Sequence, residues 1–184
     1  MKLWNTQSAY GLISIGLHWL VAVTVIALFL LGLWMVDLDY YSDWYKWGPD
    51  LHRSVGFCLL VVMVLRFVLR CWQPRPQSLS SHKAWERSIA HLVHLFFYLA
   101  VVLMFISGYL ITTSSGQSLD VFKALHLPSV WQNKAWEAPA AAIHEYLAWA
   151  IIVFVALHAG AALKHHVVDG DNTLKRMIVP QKKQ

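Results

Sequence analysis

The chain has 184 residues, 58% of them hydrophobic and only 14% charged, with a mean hydropathy of +0.47. A soluble domain carries roughly a quarter of its residues as charges, so the composition excludes an ordinary water-soluble fold and points to a membrane. The formal net charge of +5 is small and dispersed, which argues against a nucleic-acid partner.

The elements follow in chain order. No charged residue lies between Lys2 and Asp37, which places a first spanning helix at about 12–36, ample for the ~20 residues a bilayer requires. This apolar run is too long for the core of a cleavable signal peptide, and no A-x-A-like site follows it. A second helix is predicted at about 51–72; it contains Arg66 and Arg70, whose long stems can snorkel to an interface. "QPRPQ" at 73–77 breaks the chain. Ser88–Leu119 lacks Asp, Glu, Lys and Arg, which predicts a third helix at about 88–112. The fourth is predicted at about 141–166. The expected fold is all-α: an integral-membrane four-helix bundle in one domain spanning 1–184. Membrane lipid is therefore a partner.

The loops set an expected orientation. Between helices one and two lie Asp37, Asp39, Asp43 and Asp50 against Lys46. Between two and three, counting helix ends, lie Arg66, Arg70, Arg75, Lys83 and Arg87 against Glu86, and the C-terminal segment adds Lys164, Lys175, Arg176, Lys182 and Lys183. Cationic segments stay cytoplasmic, so both termini are expected on the cytoplasmic side. Trp34, Trp44, Trp47, Trp72, Trp85, Trp131 and Trp136 fall at or just beyond predicted span ends, as interfacial anchors do. Cys58 and Cys71, thirteen residues apart on one predicted helix, would be about 20 Å apart along its axis and beyond disulfide reach. C-x-x-C-H is absent, which excludes covalent c-type haem by motif.

Alternating helix directions convert position into depth. His18 and His158 fall in the cytoplasmic half, His52 and His144 in the outer half. His144 and His158 are fourteen residues apart, so on a helix they lie within about 40° of each other and ~21 Å apart. One helix face thus carries a histidine in each leaflet. Facing helices of a bundle are where cofactor ligands converge, and two opposed imidazoles fill both axial positions of a haem iron. Spacing alone does not say whether His18, or His91 or His94 at a similar depth, faces His158. His165 and His166 read as an interfacial polar cap, and His82 and His126 as solvated loop residues.

Five stretches carry a resemblance to the bacterial cytochrome b561 family of di-haem inner-membrane proteins: "SIGLHWLVA" (14–22), "LHRSVGFCLLVVMVLR" (51–66), "AHLVHLFFYLAVVLMFISGYL" (90–110), "IHEYLAW" (143–149), and "LHAGAALKHH" followed by "DNTLKRM" (157–177). The resemblance implies two haem b per chain. His18 would pair with His158 on the cytoplasmic side and His52 with His144 on the periplasmic side. It leaves His91, His94, His165 and His166 as candidates for a haem pocket or a quinone site. Arg53, Arg66, Arg70, Arg87 and Lys164 are candidates for the haem propionates.

The expected function is electron transfer between a periplasmic-side donor, with a redox partner protein as one candidate, and ubiquinone or menaquinone. Some family members are assigned superoxide oxidation with ubiquinone as acceptor, a chemistry favoured by a cationic outer surface; the first outer loop here is acidic. Two other classes compete. An anchor subunit of a larger dehydrogenase would favour larger docking loops. A divalent-metal transporter would place carboxylates or thiolates at the depth of His18 and His158, where none occurs.

Overall fold

The computed structural model describes residues 2–79 and 81–179; Lys182 and Lys183 lie outside them. Four helices dominate: α1 (Leu12–Val36), α2 (Trp44–Trp72), α3 (Ala84–Thr113) and α4 (Glu137–Val167). All four are long and apolar enough to cross a membrane, and together they make a membrane four-helix bundle. Large side chains such as Leu30, Val61, Phe67, Leu92, Leu99 and Leu157 are exposed. In a bilayer this is the lipid-facing surface, because a helix satisfies its own backbone and needs no water.

Each helix start has a local cause. The first N–H groups of α1, which no intrahelical carbonyl can serve, donate instead to the N-terminal segment: Leu12 to the Lys2 carbonyl at 3.1 Å and Ile13 to the Leu3 carbonyl at 3.3 Å. Gly11 permits this approach, since a Cβ there would lie 2.3 Å from the Leu3 carbonyl oxygen. Helix α2 begins at Trp44, ahead of the apolar stretch, and tolerates Pro49; the proline forfeits the bond its position would make to the Tyr45 carbonyl. Helix α3 opens on half a capping box, in which Glu86 Oε2 accepts from the Lys83 N–H at 2.8 Å.

The connection between α3 and α4 holds a small antiparallel hairpin, β1 (Leu119–Val121) with β2 (Leu125–Leu127), in the register Leu119↔Leu127 and Val121↔Leu125. Phe122 and Lys123 turn it with φ of 49° and 59°.

The described chain separates into two compact units, and every helix contributes to both. The first comprises the residues up to Ala22, Val62–Tyr98 and Val153 onward. Here Arg176 ties three segments by donating to the Gln77 and Ser8 carbonyls, each at 2.9 Å. Trp19 Nε1 donates to the Met177 carbonyl at 2.6 Å. The second unit comprises Val23–Val61 and Leu99–Ile152. Its interior is lined by Ala100, Val101, Ala140 and Ile151, with buried Ser54, Ser107 and Thr113. Ser54 Oγ accepts from the Phe122 N–H at 2.9 Å and so fastens the hairpin to α2; Thr113 donates back to the Tyr109 carbonyl at 2.8 Å. Small residues of this kind let membrane helices approach closely.

Candidate functional site

In the second unit, α2 and α4 bring His52 and His144 edge to face, with ring centroids 6.1 Å apart and planes at 62°. Two glycines make room for the rings. A Cβ on Gly108 would sit 3.2 Å from His144 Cε1, and one on Gly32 3.4 Å from His52 Cε1. Ser107 sets the state of His144. Its hydroxyl donates to the Met104 carbonyl at 3.0 Å, so its contact with His144 Nδ1, also at 3.0 Å, is one it accepts. Nδ1 therefore carries the proton and Nε2 keeps its lone pair for a ligand. His52 Nδ1 is buried without a hydrogen-bond partner, a donor position that a bound group or its surroundings must serve.

The first unit repeats the arrangement. His18 on α1 and His158 on α4 have ring centroids 6.2 Å apart and planes at 60°. Two imidazoles on one metal, at about 2 Å per bond and roughly 1.2 Å from nitrogen to ring centre, stand about 6.4 Å apart. Both pairs offer that spacing, so the residues fit a bis-histidine metal group. His94 is nearer to His158, at 5.3 Å, about an ångström short of that spacing. Arg66 Nη2 lies 3.1 Å from His18 Nδ1. Arginine only donates, so Nδ1 accepts in this contact. Ligation through Nε2 of a neutral ring needs the proton on Nδ1, and Arg66 must then turn to another partner.

The remaining candidates divide between two places in the first unit. A cavity of about 150 Å³ is lined by Arg70, Cys71, Arg75, His91, His94 and Tyr98, among others, and Tyr98 Oη is buried with no hydrogen-bond partner. His165, His166 and Lys164 belong instead to a polar cluster at the end of α4. Lys164 Nζ pairs with Glu86 at 3.3 Å and Asp169 at 2.7 Å, and His166 Nδ1 lies 3.3 Å from the Asp171 carbonyl. The Lys164 hydrogen bond holds the Asp169 carboxyl below its usual range. Burial alone would raise the Asp171 carboxyl, but hydrogen bonds from Thr173 and Ser81 and the adjacent His82 outweigh it and lower it to about 2. His82, expected in solvent, is drawn into this cluster with its side chain 19% exposed. Among the propionate candidates, Arg53 is paired with Asp50 and Arg87 lies in the first turn of α3. Ser107 escaped sequence reasoning; its one signal was its place in "FISGYL", at the depth of His144.

A profile of prokaryotic cytochrome b561 matches residues 9–180. This chain belongs to the prokaryotic cytochrome b561 family. It is 42% identical to "Cytochrome b561 homolog 2" of Escherichia coli (strain K12) over 97% of this chain and 95% of that protein. It is 31% identical to "Cytochrome b561 homolog 1" of the same organism, over 92% and 96% respectively. A "Probable superoxide oxidase CybB" of Yersinia pestis is 32% identical over 95% of this chain and 97% of its own length. As a b561 cytochrome the chain is a multi-pass membrane electron-transfer protein, and membership of the family implies haem b.

Proposed function

We propose that the chain carries electrons across a bacterial inner membrane through two haem b groups, between an outer-side donor and the quinone pool. His18 and His158 hold one haem, His52 and His144 the other. The observation that carries this reading is the match between the two pairs, 6.2 and 6.1 Å with planes at 60° and 62°. Two unrelated packing accidents would not reproduce one geometry. Haem supplies one-electron chemistry, and the protein sets its position and potential. Two histidines committed to each haem would suit electron transfer rather than the binding of oxygen or substrate. The work of the side chains is therefore to bind, orient and tune.

Each side chain then has a task. Ser107 fixes the His144 tautomer and makes the ligand more basic. Arg66, released from His18 Nδ1 on ligation, is placed to neutralise a propionate beside Arg70. Arg53 and Lys164 are already committed to carboxylates and are weaker candidates for that role. The excess of cations in the first unit, at Arg66, Arg70, Arg75, Lys83, Arg87, Lys175 and Arg176, supports its cytoplasmic placement with both termini inside.

Quinone fits the first-unit cavity. Its reduction takes two electrons and two protons, and its carbonyl oxygens need donors. His91, His94 and the buried Tyr98 hydroxyl line that space, and His94 adjoins His158. His165 and His166 lie instead at the polar cluster ending α4. Reduction of the haems by a soluble quinol, followed in the visible spectrum, tests the reading. Full reduction by dithionite with none by quinol would remove quinone from it.

The Yersinia relative's name favours a second reading, superoxide as the donor. Two superoxide ions would give two dioxygen molecules and two electrons, matching one quinone reduced with two protons. Against it stand Asp37, Asp39, Asp43 and Asp50 beside Lys46, with Arg53 masked by Asp50. An anion finds little steering there. Quinone-dependent loss of enzymatically generated superoxide distinguishes the two.

A further inference from the structure

The polar cluster at the end of α4 holds more carboxylate than its cations balance. Glu86, Asp169 and Asp171 converge there, and Lys164 is the one lysine or arginine paired with any of them among the described residues. Two imidazoles complete the group. His82 Nε2 lies 3.1 Å from Asp171 Oδ2, and His165 Nδ1 lies 3.8 Å from the same oxygen. Their rings stand 4.6 Å apart. One donor atom from each of His82, His165 and Asp171 falls within 4.8 Å of the other two.

We propose that His82, His165 and Asp171 form a divalent transition-metal site of the zinc type, separate from the histidine pairs within the spans. A tetrahedral ion with bonds of about 2.1 Å has ligand edges of roughly 3.4 Å, and the two measured edges at Asp171 bracket that value. The side chains are 19%, 13% and 8% exposed, so the site is sheltered while remaining outside hydrocarbon.

One contact separates this reading from a plain hydrogen-bonded knot. Asp169 Oδ2 approaches His165 Nδ1 to 2.6 Å, yet that nitrogen is buried without a hydrogen bond, so the carboxylate stands out of line with it. An ion between them satisfies both, and Asp169 becomes a fourth donor after a small shift. Ser81 Oγ donates to Asp171 Oδ2 at 3.0 Å and the Thr173 N–H to Oδ1 at 2.8 Å, the kind of outer support that orients a metal-bound carboxylate. Imidazole nitrogen with carboxylate oxygen and no thiolate suits zinc and its first-row neighbours. The ion would fasten three separate pieces of chain: the segment before α3, the end of α4, and the residues after it. Its function is structural.

The test uses the full-length, haem-loaded protein dialysed against zinc and then against metal-free buffer. Elemental analysis is expected to find one zinc per chain in the wild type and in Lys83→Ala. Zinc is expected to raise the melting temperature by about 5–10 °C at a hundredfold excess over Kd. His82→Ala and Asp171→Asn are expected to lose the zinc and the shift while keeping the haem spectrum. X-ray absorption at the zinc edge of the wild type needs no variant to fold, and is expected to show nitrogen and oxygen neighbours with an imidazole signature. Absence of retained zinc in the wild type, zinc unchanged in Asp171→Asn, or a sulfur neighbour in the absorption spectrum would each overturn the site.

Discussion

His144 donates its Nδ1–H to the Ser107 hydroxyl, and that hydroxyl donates in turn to the carbonyl of Met104. The chain of two bonds fixes which nitrogen of His144 is free. Ser107→Ala removes the acceptor and leaves a buried N–H unpaired, at about 1–3 kcal/mol. A less basic ligand favours the ferric state less, so the potential of the haem held by His52 and His144 is expected to rise while the other stays. A redox titration giving unchanged potentials for both would remove Ser107 from this role.

Replacement of ligands should divide the spectrum cleanly. His18→Ala and His158→Ala are expected to abolish the same component of the reduced-minus-oxidised spectrum, and His52→Ala and His144→Ala the other. Pyridine haemochrome assay should give two extractable haems in the wild type and about one in each variant. Loss of a component in His94→Ala, with both kept in His18→Ala, would assign the ligand to His94.

Gly108→Ala asks the His144 ring to yield by a few tenths of an ångström. Its Cβ would press on His144 at 3.2 Å, whereas Gly32→Ala meets His52 at an ordinary 3.4 Å. The first is expected to lower occupancy of the haem at His52 and His144 severalfold, the second much less. Equal haem content in both would mean that the helix backbone yields.

Arg66→Gln removes a half-buried positive charge from beside His18. Reduction adds negative charge to a haem, so the potential of the His18–His158 component is expected to fall, with the other unmoved. No shift would place Arg66 away from the haem edge.

Quinone exchange should depend on Tyr98 and His94. Tyr98→Phe is expected to slow haem reduction by quinol about tenfold, with dithionite reduction intact; His165→Ala is expected to leave the rate alone. The reverse pattern would move quinone to the cluster at the end of α4.

The four spans were legible because lipid demands long apolar stretches free of charge, and helix geometry converted spacing into depth, which sorted the histidines by leaflet without pairing them. Several features left no such trace. Trp44–Asp50 is too polar and proline-bearing to look helical, yet forms the start of α2. The hairpin at Leu119–Leu127 has only three residues per strand, too few for an alternation to register. Spacing left His18, His91 and His94 equivalent opposite His158, since depth does not report rotation about a helix axis. His82 and Asp171 meet across 89 positions of sequence, a closure that no local pattern announces.

Cys71 is a free and exposed thiol in the wall of the cavity that also holds His91 and His94. It gives that space a chemical address independent of the haems. Alkylation at Cys71 reports who occupies the cavity and when, with Cys58, in the other unit, as an internal reference for labelling. A ligand that shields the first thiol and spares the second has thereby been located without any change in electron flow having to be measured.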